Sequence, residues 1–219
     1  METVDLTRRI EEGMTTFHTD IHSDVRIDQL GSIAEHGRET HEVTVGTHTG
    51  THLDAPLHFI DGGRTVEDLS LEALLGPVEL IDFTHVGENE PVTVSMLEDE
   101  ALGKRTIFQF GWEDRFGDSD AFYNDYPYLT VTAAEYLVDE GVELLGFDTP
   151  SPDASSRPLD GGDEDSPVHK VFLRNDVILV EYLMNLDNVD FDSQWNVAAL
   201  PLKIKDADGA PARVVVWKE

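Results

Sequence analysis

Short apolar segments that are typical of strands alternate along the chain with segments that are typical of helices. Runs rich in Val, Ile, Leu and Phe, bounded by turn residues, predict strands at residues 3–6, 43–54, 78–83, 106–110, 142–147, 177–183 and 212–217. Two helices are predicted to open at capping boxes that start at Ser95 and Thr132, each followed three residues later by Glu. A short helix over residues 70–75 is predicted to stop at Gly76.

This alternation indicates an α/β or α+β domain with a large sheet or barrel. Hydrophobic residues make up 40% of the 219-residue chain, which is enough for a folded core. No repeat, low-complexity segment or linker is visible. We therefore expect one mixed α/β domain over residues 1–219.

Two long segments, residues 111–130 and 149–167, carry no predicted helix or strand. Loops of this length are usually functional lids or disordered segments. The first is rich in aromatic side chains, which argues against disorder. It is compatible with packing over a pocket, against a second subunit, or within one subunit. Its aromatic residues are Trp112, Phe116, Phe122, Tyr123, Tyr126 and Tyr128.

Residues 46–59 are the most informative for chemistry, because three histidines and one aspartate occupy even positions there. In an extended strand alternate side chains share a face, so these groups are expected to point to one side. Gly50 falls on the same face, where it is expected to leave room for an ion or substrate. Two imidazoles and a carboxylate that converge can bind zinc, manganese or a related divalent ion. The four groups are His48, His52, Asp54 and His58.

Two other interpretations of this segment are possible. His48 and His52 are also spaced i, i+4, as in helical zinc motifs, but the glycines and Pro56 oppose a helix. The second interpretation is a polar strand that carries surface histidines and binds no metal. Burying three histidines and an aspartate without partners would be costly, which favours the metal site.

Further ligands are needed if the site holds two ions, and His169 and Glu181 are the candidates. His169 falls near the start of the helix that is predicted after Ser166-Pro167. Glu181 lies in an otherwise apolar strand, where a carboxylate binds metal, has a charged partner, or faces solvent at the strand end. The residues by themselves leave these alternatives open.

The chain is strongly acidic, with 45 acidic and 15 basic residues and a formal net charge of −30. This charge repels phosphate backbones and anionic membranes, so neither nucleic acid nor a membrane is expected as a partner. The acidic residues are spread along the chain and only five residues are lysine. This composition resembles that of proteins from salt-loving archaea, whose internal salt screens the repulsion. An acidic surface that docks a basic partner is the alternative.

Several classes of protein are disfavoured by what the sequence lacks. The absence of cysteine excludes disulfides, thiolate metal sites and cysteine nucleophiles. Neither Gly-x-Ser-x-Gly nor a phosphate-binding glycine loop is present. The Asp206-Ala-Asp208-Gly209 segment matches only the start of a calcium loop and is predicted to form a turn. Residues 1–13 lack the apolar core of a signal peptide, so the cytoplasm is the expected compartment.

The segment His48-Thr-Gly-Thr-His52-Leu-Asp54-Ala-Pro-Leu-His58-Phe59 resembles the signature of the cyclase-like metal hydrolases. That family includes bacterial-type kynurenine formamidase and isatin hydrolase. The resemblance extends over most of the chain. Its further blocks are Asp5-Leu-Thr, Gly111-Trp112, Gly146-Phe-Asp148-Thr-Pro-Ser151 and residues 169–181.

The resemblance implies a mixed α/β fold around a β-barrel-like sheet with flanking helices, assembled as a homodimer or homotetramer. It implies one or two divalent ions per chain, zinc or manganese, with Asp54 shared between the two sites. His58 is implied to be the catalytic acid/base rather than a permanent ligand. The implied metal ligands are His48, His52, Asp54, His169 and Glu181.

The chain departs from the family at residues 17–22, where many members have a Pro-Gly-rich turn that lines the substrate pocket. Phe17 and His18 from this segment, and Trp112 from the aromatic loop, are the candidate substrate contacts. His22 could also contact substrate, and the alternative for both His18 and His22 is a solvent-exposed histidine in a loop. Asp148 and Asp153 are expected to lie near the site, as candidates for a supporting role.

The implied activity is hydrolysis of a carbon–nitrogen bond in a small amide, arylformamidase-like, with N-formylkynurenine as the first substrate to test. A divalent ion lowers the pKa of bound water, polarises the carbonyl and stabilises the oxyanion. His58 can then protonate the leaving nitrogen. The alternatives are a lactone or ester hydrolase or a cyclase that uses the same ions, and a non-catalytic binding protein stabilised by metal.

Overall fold

The computed structural model describes residues 1–17, 22–159, 161–162 and 165–219. The described strands are β1 (Glu2–Asp5), β2 (Arg26–Gly31), β3 (Thr40–Thr44), β4 (His52–Asp54), β5 (Leu75–Asp82), β6 (Pro91–Val92), β7 (Arg105–Gln109), β8 (Tyr128–Leu129), β9 (Leu144–Phe147), β10 (Ile178–Glu181), β11 (Trp195–Pro201) and β12 (Gly209–Lys218). The described α-helices are α1 (Ile33–His36), α2 (Leu71–Leu74), α3 (Val94–Leu97), α4 (Ser119–Tyr123), α5 (Val131–Asp139) and α6 (Pro167–Arg174). Short 3-10 helices cover Pro56–His58, Val66–Asp68, Trp112–Arg115 and Leu186–Asn188.

Seven strands close into a barrel in the order β12-β11-β5-β7-β9-β10-β4, and β4 pairs back onto β12. The β5-β7-β9-β10 run is parallel, and the remaining pairings of the barrel are antiparallel. β1 extends the sheet from β12, while β2 and β3 form a separate hairpin. The predicted mixed α/β domain around a barrel-like sheet is therefore confirmed.

Alternate residues of the barrel strands pack into two different hydrophobic layers. The inner layer fills the barrel and includes Leu53 of β4 and Val180 of β10. The outer layer lies between the barrel and the helices, and it includes Leu179 of β10 and Phe172 of α6. Since side chains alternate along a strand, the residues on either side of Leu53 face outward, toward α6.

The strand predicted over residues 43–54 is wrong in its middle. β3 ends at Thr44, β4 begins at His52, and turns and bends occupy the residues between them. Gly50 has a φ of +61°, and a Cβ there would lie 3.2 Å from Met14 Cε. Gly50 therefore serves this turn and does not open space for an ion. Thr51 fixes the end of the turn, because its hydroxyl donates to the carbonyl of Tyr182.

Two helix starts lie earlier than the capping boxes predict. Thr130 rather than Thr132 caps α5, since its hydroxyl accepts a hydrogen bond from the backbone N–H of Ala133 at 3.1 Å. α3 begins at Val94, ahead of Ser95. The short helix α2 is confirmed, but it ends at Leu74, and Gly76 lies inside β5.

The aromatic loop over residues 111–130 packs on its own subunit. It contains a 3-10 helix, α4 and β8, and its largest side chains join the outer layer. None of the described helices is long and apolar enough to cross a membrane.

Candidate metal centre and active site

β4 and β10 position three of the predicted ligands on the outer face of the barrel. His52 and Asp54 lie on β4, and Glu181 of β10 pairs directly with His52. All three are buried. Nε2 of His52 lies 3.4 Å from Asp54 Oδ1 and 3.5 Å from Glu181 Oε2. Their ligand atoms therefore converge on one small volume, as a metal centre requires.

α6 brings His169 to the same volume from the opposite side. Its Nε2 lies 3.5 Å from Asp54 Oδ2 and 3.3 Å from Glu181 Oε1. The Asp153 carboxylate accepts from His169 Nδ1 at 2.6 Å and from the backbone N–H groups of Val168 and His169. Asp153 thus holds the first turn of α6 and turns Nε2 of His169 toward the other two carboxylates.

His48 and His58 approach from the solvent side. His48 lies in the turn before β4, and its Nδ1 is 2.8 Å from Asp54 Oδ1. His58 ends the 3-10 helix that follows β4. The two rings lie 3.9 Å apart, and both contact the carboxylate of Asp208. The structure therefore brings together the five predicted ligands and the predicted acid/base.

Backbone and carboxylate acceptors fix which nitrogen of two inner imidazoles faces the centre. His52 Nδ1 donates to the carbonyl of Gly50 at 2.7 Å, and His169 Nδ1 donates to Asp153. Since a carbonyl or carboxylate oxygen only accepts, Nδ1 carries the proton in both rings. Nε2 is then the inward nitrogen of both His52 and His169, which suits a metal ligand.

The residues fit a divalent ion on two grounds. Within the described part of the chain, the buried atoms Asp54 Oδ2 and Glu181 Oε1 have no hydrogen-bond partner. Buried carboxylate oxygens without a partner are costly, and a bound cation would satisfy them. The surrounding nitrogen and oxygen donors are also those that zinc and manganese accept.

The pKa shifts of the inner cluster, which consists of His52, Asp54, His169 and Glu181, also favour a bound positive charge. Burial and the neighbouring Asp54 raise the pKa of Glu181. Burial also tends to raise the pKa of Asp54, but His48 and His58 outweigh it, so that pKa is lowered well below its usual value. Burial tends to lower the pKa of His169, yet Asp153, Asp54 and Glu181 raise it well above its usual value. Positive charge placed beside these buried carboxylates therefore stabilises the cluster.

The two outer histidines have opposite pKa shifts. Burial tends to lower the pKa of His48, but Asp54 and Asp208 raise it to about 10. Burial lowers the pKa of His58, and its carboxylate neighbours only partly offset that effect. The pKa of Asp208 is lowered, because hydrogen bonds from both rings outweigh its burial. His58 therefore stays neutral more readily than its neighbour, which suits a group that exchanges protons.

A cavity of about 730 Å³ opens onto this cluster. Phe17, Phe59, Tyr123 and Tyr126 line it, and the Phe17 and Tyr123 rings meet edge to face at 5.2 Å. Phe17 is thus placed as a substrate contact would be. His22 also lines the cavity, whereas His18 lies outside the described residues.

Trp112 is not among the residues that line the cavity. Its side chain is buried in the outer layer, and its indole N–H donates to the carbonyl of Phe122 at 2.8 Å. The Asp148 carboxylate accepts from the backbone N–H groups of Phe110 and Trp112. Burial raises the pKa of Asp148 to about 6. Asp148 therefore supports the loop, and Asp153 rather than Asp148 contacts a predicted ligand.

The sequence does not predict three residues that lie at the site. It predicts Asp208 only as part of a turn. Tyr182 follows Glu181 with a φ of +60°, and its hydroxyl donates to the Tyr123 hydroxyl at 3.0 Å. A bulky residue in the left-handed region is rare and is a structural signal of a functional site. Only the aromatic richness of residues 111–130 hinted at Tyr123.

Fold and site together define the class: a mixed α/β barrel with a buried His/Asp/Glu cluster that can hold a divalent metal beside an aromatic cavity. The chain belongs to the putative cyclase family, whose sequence model matches residues 4–154.

Three relatives illustrate this family membership. Kynurenine formamidase from Bacillus anthracis is 32% identical over 184 residues, which cover 80% of this chain and 78% of that protein. The structure of isatin hydrolase A from Ralstonia solanacearum superposes with a TM-score of 0.84 at 26% identity, covering 98% of this chain and 91% of that one. A structure described as a potential metal-dependent hydrolase with cyclase activity has a TM-score of 0.78 at 30% identity, covering 98% and 96%.

Proposed function

We propose that this protein is a metal-dependent amidohydrolase of the arylformamidase type. It cleaves the carbon–nitrogen bond of a small aryl amide, with conversion of N-formylkynurenine to kynurenine and formate as the first candidate reaction. The observation that carries the proposal is the convergence of His52, Asp54, His169 and Glu181 beneath an aromatic cavity, where two carboxylate oxygens have no hydrogen-bond partner among the described residues. The similarity to kynurenine formamidase from Bacillus anthracis supports the choice of substrate.

The proposed metal site would hold one or two zinc or manganese ions, one held by His48, His52 and Asp54 and the other by Asp54, His169 and Glu181. A divalent ion there would supply activation of water and polarisation of the scissile carbonyl. The whole of residues 1–219 acts as one hydrolase domain.

The chain's own residues supply the proton transfers and the binding. His58 stands next to the cluster, 23% exposed at its side chain, where a substrate in the cavity can reach it. It accepts a proton as water adds to the carbonyl and delivers it to the leaving nitrogen. Phe17, Tyr123 and Phe59 receive the aryl ring and exclude water from one side of the reaction.

A cyclic aryl amide is the second candidate substrate. Isatin is such an amide, and isatin hydrolase A from Ralstonia solanacearum is similar over 98% of this chain. A lactone or ester would use the same groups, but its leaving oxygen depends less on a proton from His58. A protein that binds metal without turnover would not need His58 at all.

The proposed assembly is a homodimer or homotetramer in the cytoplasm of a halophilic organism. The β2–β3 hairpin supports self-association, because all five residues of β3 are exposed and an isolated hairpin is marginal in water. Leu30, Ile33 and Val43 expose between half and three quarters of their surface there. A second subunit would cover them.

The function is tested by assaying the purified protein in molar salt against N-formylkynurenine, isatin and matched aryl esters. We expect formate release that disappears after treatment with a chelator and returns with zinc or manganese. Turnover that survives complete metal removal would contradict the proposal. Hydrolysis of esters alone would assign the alternative activity.

A further inference from the structure

The turn before β12 is built closely against His48. The carbonyl of Asp208 accepts from the backbone N–H of Ala55 at 2.9 Å, and Gly209 pairs with Asp54 across the β4–β12 ladder. A Cβ at Gly209 would lie 2.8 Å from His48 Cε1 and 2.7 Å from the carbonyl oxygen of Leu53. Only glycine permits this approach, so the backbone fixes the position of Asp208 beside the imidazole.

One oxygen of Asp208 contacts both outer histidines. Oδ2 lies 2.8 Å from His48 Nε2 and 3.0 Å from His58 Nδ1. A carboxylate only accepts hydrogen bonds, so both of these nitrogens donate. His58 thus keeps a proton on Nδ1, and its Nε2 is the nitrogen left for other chemistry.

We infer that Asp208 is a positioning residue that holds the His48 and His58 rings together and makes Nε2 of His58 the proton-exchanging atom. The catalytic part of this inference rests on the proposed function. Asp208 does not touch the reacting atoms in this role. It selects one tautomer and one ring orientation, as the carboxylate of a hydrolase triad does for its histidine.

The assignment gives a balanced proton path for amide hydrolysis. As water adds its oxygen to the carbonyl carbon, Nε2 of His58 takes the released proton, while Nδ1–H stays hydrogen-bonded to Asp208. The carbon–nitrogen bond then breaks, and the same proton passes from Nε2 to the leaving nitrogen. The products are an amine and a carboxylic acid, and His58 returns to its starting state.

The contact is tested by ¹⁵N NMR of the histidine side chains in Asp208→Asn and wild type, without metal and with excess zinc, at mildly alkaline pH. Asparagine has the same size but can donate an N–H to His58 Nδ1. We expect His58 to carry its proton on Nδ1 in wild type and to shift toward the Nε2–H tautomer in the variant. An Nε2–H tautomer in wild type, or an unchanged spectrum in the variant, would overturn the inference.

Asp206→Asn is the matched control, because Asp206 lies on the same turn, is exposed, and has a φ of +55° that asparagine tolerates. With zinc in excess, we expect Asp208→Asn to lower kcat about 10–100-fold with little change in KM, and Asp206→Asn to match wild type. An unchanged kcat in Asp208→Asn, or an equal loss in both variants, would contradict the role of Asp208. If wild type hydrolyses no substrate, the proposed function fails, and the NMR result still decides the contact.

Discussion

The two halves of the candidate site differ in burial and in the elements that hold them. The inner half, His52, Asp54, His169 and Glu181, lies on β4, β10 and α6 and is buried. The rim, His48, His58 and Asp208, lies on turns and a 3-10 helix, and the Asp208 side chain is 35% exposed. Regular elements thus place the groups that need fixed geometry for an ion, and loops place the groups that meet substrate and solvent.

Asp54 joins the two halves, so its removal should have the largest effect. Its carboxylate lies within 3.5 Å of His48, His52 and His169. We expect Asp54→Ala to lose bound metal and all measurable turnover. Metal content by mass spectrometry, on protein purified in molar salt without chelator, checks this expectation. Asp61→Ala is the control, because Asp61 is an exposed aspartate that follows the 3-10 helix Pro56–His58. Metal retained by Asp54→Ala would refute the role of Asp54 as a ligand shared by both ions.

Replacing His58 separates the rim from the inner half. We expect His58→Ala to lower kcat about 10²–10⁴-fold, because a proton donor is lost, while metal content stays near that of wild type. The exposed His85→Ala is the matched control. Loss of metal in His58→Ala would make His58 a ligand and would remove the distinction between the two halves.

Asp153→Asn tests whether the inner half depends on the group that orients His169. The Asp153 carboxylate accepts three hydrogen bonds, and asparagine has no negative charge and only one acceptor oxygen for them. Because His169 is then held less firmly, we expect metal affinity to fall about 10–100-fold. Titration with zinc in the presence of a competing chelator measures this change. Asp148→Asn is the control, since Asp148 also accepts from two backbone N–H groups but has no hydrogen bond to an imidazole among the described residues. Equal loss of affinity in both variants would indicate general unfolding instead.

Salt is expected to change the stability of the protein through its surface charges and to leave the buried inner half of the site unaffected. The acidic residues that give the net charge of −30 repel one another at low salt, and the screening length falls to about 3 Å at 1 M salt. Relief of about 3 kcal/mol would raise Tm by about 10 °C for a chain of this size. We expect Tm to rise steeply from low to molar salt while zinc affinity changes little. A flat Tm would remove the halophilic interpretation.

The sequence predicted the inner half better than the rim. His52 and Asp54 lie on a real strand, so the alternation rule placed them correctly on one face. The same rule placed His48 and His58 on that face of an extended segment, whereas a turn and a 3-10 helix carry them. Those two histidines reach the site through the turn before β4 and the 3-10 helix after it. Spacing alone contains no information about the paths of these two segments.

Asp208 shows what lies beyond sequence reasoning. It is 160 residues away from His48 along the chain, and its segment predicted only a turn. Closure of the barrel between β4 and β12 brings it next to Asp54 and His48. Asp153 reaches His169 in a similar way, through a loop that carries no periodic pattern.

The sequence by itself determined the mixed α/β class, the acidic surface and the identity of the candidate ligands, because local periodicity, composition and a long signature encode them. The tertiary structure decided how the ligands are oriented, which carboxylates hold each imidazole, that Tyr123 rather than Trp112 faces the cavity, and that Asp208 belongs to the site. These features depend on contacts between segments far apart in the chain, and only the closed barrel and its packed outer layer bring such segments together.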